Sequence, residues 1–99
     1  MGFFNAISSI NRINNLLKDL ENQVAITQGQ IERNAPTYML ENSLNIHKQI
    51  HHQLIDAFSN SSGARVSMFS IFGEKMRMDD VLTYSKNLTM NLATLIAQR

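Results

Sequence analysis

A heptad repeat in the first third of the chain is the feature that most constrains the fold. Counted from Phe3, the first and fourth positions of five consecutive heptads hold eight apolar residues. The ten positions are Phe3, Ala6, Ile10, Ile13, Leu17, Leu20, Val24, Thr27, Ile31 and Asn34. A seven-residue repeat drifts by about 20° per heptad on a straight helix, so the stripe keeps facing one neighbour only if the helices supercoil. The pattern predicts a long helix over residues 3–33 that packs along its length.

The stretch from Asn34 to Thr37 ends this helix and begins the next one. Pro36 disfavours helical geometry at Ala35 and suits the first turn of a following helix. A connection this short folds the second helix back antiparallel on the first. We predict the second helix over residues 37–59, where apolar residues fill about half of the circumference. Because one neighbour cannot cover so wide a face, we expect this helix to lie between two others.

The segment 64–77 is ambiguous between helix and strand. Four apolar residues have helical spacing: Val66, Phe69, Phe72 and Met76. A different set alternates as a strand does: Val66, Met68, Ser70 and Phe72. Since one isolated strand has no partner, we interpret residues 64–72 as a short helix that ends near Gly73.

Two aspartates, Asp79 and Asp80, are suited to the start of a last helix over residues 79–98, as N-cap and as first-turn negative charge. The predicted fold class is therefore all-α. Residues 1–99 form a single helical domain, an antiparallel hairpin of helices extended to a three- or four-helix bundle. The predicted helices cover about 3–33, 37–59, 64–72 and 79–98.

Composition excludes several classes of protein. The chain has no cysteine, which excludes disulfides, thiolate catalysis and cysteine-ligated zinc. Its net charge is +1, with charges spread along the chain, so we expect no binding to nucleic acid. No apolar run reaches the roughly 18 residues that a membrane span needs. A basic leader with a cleavage site is absent, which favours a cytoplasmic protein or one exported without a cleaved signal.

Two histidines form the one cluster with the spacing of a chemical site. His47 and His51 are four residues apart, so both project from one face of the second helix, within its apolar half. We interpret them as neutral histidines that are hydrogen-bonded in the core. A metal site, which needs a third and usually a fourth ligand, and a pH-sensitive interface remain the alternatives. The motifs of hydrolases, phosphate loops and dinucleotide folds are absent, so we predict neither an enzyme nor a cofactor.

Six apolar residues are candidates for contact with a partner. Three lie off the strict seam of the first helix: Ile7, Leu16 and Ile26. Three lie in the segment rich in Phe and Met, which we expect to fill the core or to form an exposed apolar contact: Phe69, Phe72 and Met76.

The length of the apolar stripe favours a small interaction or assembly protein that oligomerises or pairs with a partner chain. An alternative is a secreted helical-hairpin protein or export adaptor with the architecture of type VII secretion. Its size, missing cysteine and antiparallel hairpin are similar, although Asn-Ala-Pro stands where that family has a Trp-x-Gly turn. Small helical immunity and phage accessory proteins are also compatible. A metal-binding bundle built on His47 and His51 is the last hypothesis.

Overall fold

Three helices and one β-hairpin make up the fold. A computed structural model describes the backbone of residues 3–99 and the side chains of residues 9–99. The elements are α1 (Phe3–Glu32), α2 (Thr37–Ser59), a single 3₁₀ turn (Ala64–Val66), β1 (Met68–Ile71), β2 (Glu74–Arg77) and α3 (Met78–Ala97). The prediction of a helical bundle is confirmed, and the β-hairpin is an addition to it. None of the described helices has the length and hydropathy that crossing a bilayer requires.

The turn between α1 and α2 is closed by backbone hydrogen bonds and by a distant arginine. Asn34 adopts a left-handed conformation (φ 52°). The Ala35 N–H donates to the Gln30 carbonyl (2.9 Å), which is the pattern of a Schellman helix end. The guanidinium of Arg99 donates to the Ala35 carbonyl (2.7 Å) and to Oδ1 of Asn34 (3.2 Å). The C-terminal end of α3 therefore lies beside the turn, next to the C-terminal end of α1, so α1 and α3 run parallel.

Helix α2 lies at the centre of the bundle. It packs against both α1 and α3, whereas, among the described residues, α1 and α3 contact each other far less. This confirms the prediction made from its wide apolar face, and its bounds match the predicted ones. At one end of the bundle, β1 packs between α1 and α3 and fills the space that separates them.

The predicted helix over residues 64–72 is wrong. Only Ala64–Val66 is helical, and residues 68–77 form an antiparallel hairpin in which Phe69 pairs with Met76. The partner strand is β2 (Glu74–Arg77). Its sequence is mostly polar, because all its side chains except Met76 face solvent, so it carries no recognisable strand pattern. In β1 the buried side chains are Phe69 and Ile71, whereas Met68 and Ser70, which belong to the alternating set seen in the sequence, are exposed.

The hairpin turn holds an aromatic residue in a strained conformation. Both central residues, Phe72 (φ 51°) and Gly73 (φ 81°), have positive φ, as two-residue turns of type I′ require. This conformation suits Gly73 but costs on the order of 1 kcal/mol at Phe72. The Phe72 N–H donates to the carboxylate of Glu21 on α1 (2.6 Å), which anchors the turn.

Helix α3 begins one residue earlier than predicted. Its N-cap is Arg77, in an extended conformation and without a side-chain capping bond. The prediction of Asp79 as the N-cap is therefore wrong. Asp79 and Asp80 do lie in the first turn, where negative charge is favourable beside the free N–H groups of the helix.

The hydrophobic core sits at the hairpin end of the bundle. Phe69 contacts Phe58 edge to face, with ring centroids 5.3 Å apart. The other buried members of the cluster come from all three helices and from the hairpin: Ile13, Leu16, Leu17, Leu20, Ile50, Leu54, Ala57, Ala64, Ile71 and Val81.

Candidate interaction groove

The apolar stripe of α1 divides into two faces in the structure. On the described part of α1, helix α2 covers the fourth heptad positions Ile13, Leu20 and Thr27. It also covers residues that stand just before first positions, which are Leu16, Gln23 and Gln30. The first positions from Ile10 to Ile31 face the side of α3. Leu17, at such a position, is buried in the core cluster that includes the hairpin. Val24 is only half-buried and Ile31 is exposed, because the hairpin ends before reaching them.

A buried hydrogen-bond network joins α1 and α2 beyond the core. Gln23 donates through Nε2 to the hydroxyl of Ser43 (3.1 Å), and Ser43 donates to Oε1 of Gln30 (2.7 Å). The hydroxyl of Thr27 lies 3.1 Å from Nε2 of His47. These five side chains are all buried. Polar groups therefore replace apolar contacts along this half of the α1–α2 interface, and their mutual hydrogen bonds offset the cost of burying them.

The two histidines of the sequence pattern serve different interfaces. His47 bonds Thr27 on α1, while Nδ1 of His51 lies 3.0 Å from the hydroxyl of Ser85 on α3. Burial lowers the pKa of His47. Burial also lowers the pKa of His51, and the charges of His52 and Lys86 lower it further. Both rings are therefore neutral near pH 7, as the hypothesis of hydrogen-bonded core histidines requires.

Neither histidine has the surroundings of a metal or catalytic site. In the part of the chain that the structure describes, no three His, Cys, Asp or Glu side chains come together as metal ligands. Ser85 and His51 have the pairing of a nucleophile and its base, but Ser85 is 1% exposed, so no substrate reaches its hydroxyl. Nδ1 of His47 is buried without a hydrogen-bond partner, so a proton on this atom would remain unpaired, which is unfavourable in free energy.

An open apolar groove runs between α1 and α3 beyond the end of the hairpin. Its volume is about 340 Å³, and His47 of α2 contributes to its floor. The walls come from α1 and α3: Val24, Thr27, Gln28, Ile31, Leu88, Asn91, Leu92 and Leu95. We call this surface the α1–α3 groove. Leu88, Leu92 and Leu95 have the spacing i, i+4, i+7, which aligns them along one face of α3.

A second depression adjoins the groove at the hairpin tip. It shares Val24 and Gln28 with the groove and is completed by Phe72 and Tyr84, among others. Phe72 is 52% exposed. The pKa of Tyr84 is raised by burial and by the neighbouring carboxylates of Glu74 and Glu21, so its hydroxyl stays protonated at neutral pH. The apolar surface thus continues from the groove onto an exposed aromatic ring.

The six residues proposed from the sequence fall in different environments. Leu16 and Phe69 are buried in the core, so the folded chain does not offer them to a partner. Met76 is half-buried and packs against that core. Ile7 lies outside the described side chains. Ile26 and Phe72 are exposed, but only Phe72 borders the groove, since Ile26 lies about 140° around α1 from Ile31.

The residues that line the groove belong to stripes that the sequence shows. Val24 and Ile31 are first heptad positions, and Leu88, Leu92 and Leu95 form the apolar stripe of α3. What the sequence conceals is that no described element fills the space between the two rows, in which Leu92 is buried, Val24, Leu88 and Leu95 are half-buried and Ile31 is exposed. The path of α3 and the reach of the hairpin, which leave this space open, depend on tertiary packing. Comparisons with protein-family models, with curated proteins and with solved structures gave no match.

Proposed function

We propose that this chain is a non-enzymatic interaction or assembly protein that accepts a helix in the α1–α3 groove. The observation that carries this proposal is the groove itself. Two helices present parallel rows of apolar side chains across a space that the described residues fill only at the hairpin end. A helix inserted there would complete a four-helix arrangement and would bury the rows of both walls.

The chemistry of the groove favours a helix as its occupant. Helix-in-groove recognition uses apolar anchors spaced i, i+3, i+4 and i+7 on the incoming helix, and these match rows such as Leu88, Leu92 and Leu95. Gln28 and Asn91 line the same groove and offer amide groups to polar residues beside the anchors. Exposed apolar surface of this kind, bordered by polar groups, is typical of protein-binding sites.

The same lining argues for binding over catalysis. The buried polar residues of the groove lining are Thr27 and His47, which are 7% and 2% exposed and hydrogen-bond to each other within the α1–α2 network. A substrate would have to displace that interface to reach either group. Binding of an apolar helix needs no such rearrangement.

A pair of matched isoleucine variants tests the proposal. Ile31→Glu places a carboxylate in the groove, and Ile26→Glu places one on the opposite face of the same helix at a similarly exposed position. Burying an unpaired charge against an apolar partner costs several kcal/mol, so we expect Ile31→Glu to weaken binding at least about tenfold. Ile26→Glu should bind as the unchanged chain does.

The measurement has two arms. Self-association is followed by sedimentation velocity, and partners retained from an extract of the producing cells are quantified by mass spectrometry, for all three proteins. Far-UV circular dichroism establishes that both variants fold. Equal self-association and equal retention by Ile31→Glu and Ile26→Glu would refute the groove as the binding surface.

A further inference from the structure

We propose that the solvent-facing side of the β-hairpin docks on a membrane surface rich in anionic lipid. This side, which we call the hairpin face, consists of six exposed residues: Arg65, Val66, Met68, Ser70, Lys75 and Arg77. It is distinct from the α1–α3 groove, so it adds a second contact to the proposed function. Its unpaired cations and its projecting apolar side chains support this assignment.

The register of the hairpin gathers cations on one side. Met68 lies opposite Arg77 in the antiparallel sheet, and the next pair on that side is Ser70 with Lys75. Residues directly opposite each other share one face of a sheet, and the remaining side chains of β1 turn into the core. Arg65 joins this face from the 3₁₀ turn, because it lines a cavity of about 350 Å³ together with Arg77.

The cations of the hairpin face have no ion-pair partner within the described part of the chain. There, the one ion pair joins Arg12 of α1 to Asp56 of α2 (3.2 Å). Arg65, Lys75 and Arg77 therefore keep their charge available to an external anion. An anionic membrane attracts each such cation, and one Lys or Arg near its surface strengthens binding about fivefold.

Acidic side chains border the hairpin face but do not cancel its charge. Glu74 pairs with Ile71 on the opposite side of the hairpin, where burial and then the carboxylate of Glu74 raise the pKa of Tyr84. Asp79 and Asp80 lie in the first turn of α3, whose free N–H groups favour negative charge. Asp79 also lines the cavity between the arginines, without an ion pair to either. The three cations outnumber these two carboxylates, so the face stays positive.

Two apolar side chains project from the same surface. Val66 is 87% exposed and Met68 is 53% exposed. Val66 ends the 3₁₀ turn, and the extended backbone of Ser67 connects it to β1, so both side chains stand out from the fold beside the cations. Free phosphate and nucleic acid gain little from projecting aliphatic groups, whereas the boundary between lipid headgroups and acyl chains accepts them. Cations and projecting apolar groups together favour a lipid surface.

Vesicle flotation with a pair of lysine variants tests the charge. Lys75→Glu reverses a charge on the hairpin face, and Lys48→Glu makes the same change at an exposed position of α2. The vesicles are an equal mixture of phosphatidylcholine and phosphatidylglycerol, and the neutral control is phosphatidylcholine alone. In about 0.1 M salt we expect Lys75→Glu to lower the partition coefficient at least about fivefold and Lys48→Glu less than about twofold. Binding to the neutral vesicles should be absent for all three proteins.

A pair of serine variants tests the apolar contribution. Val66→Ser and Ile26→Ser each replace an exposed aliphatic side chain, so neither disturbs the core. Each CH₂ group that enters the membrane boundary adds to binding, so we expect Val66→Ser to lower the partition coefficient at least about threefold. Ile26→Ser should bind as the unchanged chain does. Far-UV circular dichroism establishes that every variant folds.

Selective losses in Lys75→Glu and Val66→Ser are the expected result. Equal partition into neutral and anionic vesicles, or equal losses in the two lysine variants, would overturn the proposal. Binding of a single-stranded oligonucleotide in place of vesicles, weakened by Lys75→Glu but not by Val66→Ser, would overturn it in favour of nucleic acid. The groove is tested separately, because Ile31→Glu should bind vesicles as Ile26→Glu does, whatever the two variants do to partner retention.

Discussion

The two halves of the bundle use the same three helices but are held together differently. In the core half, residues 10–20 of α1 and α2 from Ile50 pack through apolar side chains, and the β-hairpin closes the space between α1 and α3. In the groove half, α1 from Gln23 and α2 up to His47 are joined by buried hydrogen bonds. There, α1 and α3 leave the groove open.

The difference shows that apolar burial and the open apolar groove lie in separate halves of a small chain. Burial of apolar area is the dominant favourable contribution to folding, and the core half concentrates it. The network of Gln23, Ser43 and Gln30 adds less free energy, and its buried groups hydrogen-bond to one another in the observed register of α1 and α2. The groove half is therefore aligned by polar contacts, and the space between its apolar walls is left open.

The largest effect is expected in the core half, from Phe69→Ala. Phe69 is fully buried and stacks edge to face on Phe58, so truncation removes apolar burial and leaves a cavity. We expect a loss of about 3–5 kcal/mol in the free energy of unfolding, measured by urea titration with circular dichroism. Phe72→Ala on the same hairpin removes a half-exposed ring and should cost under about 1 kcal/mol. Equal losses for the two variants would contradict the assignment of the core to this half.

A smaller effect is expected in the groove half, from Ser43→Ala. The substitution leaves Oε1 of Gln30 and Nε2 of Gln23 without their bonds to the serine hydroxyl. Leaving a buried polar group unsatisfied costs about 1–3 kcal/mol, which the same titration measures. Ser59→Ala is the matched control on the same helix, because its exposed hydroxyl bonds only the Ile55 carbonyl. No difference between the two variants would mean that the network contributes nothing to stability.

The smallest effect on stability is expected from a change of pH, and it concerns His47 in the groove half. The pKa of His47 is lower in the folded chain than its ordinary value of 6.5. As pH falls below about 6.5, His47 becomes protonated in the unfolded chain but stays neutral in the folded chain. The free energy of unfolding therefore decreases until the pH reaches the pKa of His47 in the folded chain. We expect a lower urea midpoint at about pH 5.5 than at about pH 7.5, and a smaller change in His47→Gln. An identical pH dependence in that variant would assign the effect to other groups.

Most of the helical fold could be predicted from local patterns. The bounds of α2, the turn at Asn34 to Pro36 and the central place of α2 follow from periodicity, from proline and from the width of its apolar face. The hairpin could not be predicted, because Phe69 and Met76 fit a helical spacing as well as a strand. Strand pairing depends on residues 74–77, which carry almost no strand pattern, and on α1 and α3 covering Phe69 and Ile71.

The candidate site was predictable only in its parts. Leu16 was proposed as a partner contact because it lies off the heptad seam. It is buried in the core instead, because the face of α1 that α2 covers is rotated from the ideal heptad stripe. The spacing of His47 and His51 predicts one shared helical face, but it does not show that they hydrogen-bond to different helices, α1 and α3. The groove residues Val24 and Ile31 looked like seam positions that a neighbour would cover.

The sequence by itself determined the helices, their turn and the apolar rows on each of them, because these depend on periods of a few residues. The tertiary structure decided which rows are covered. Residues 68–77 form a short hairpin rather than another helix, so they fill the space between α1 and α3 only at the core end. Beyond that end the rows of Val24 and Ile31 and of Leu88 to Leu95 face each other across an open groove, since burial depends on the reach of every neighbouring element.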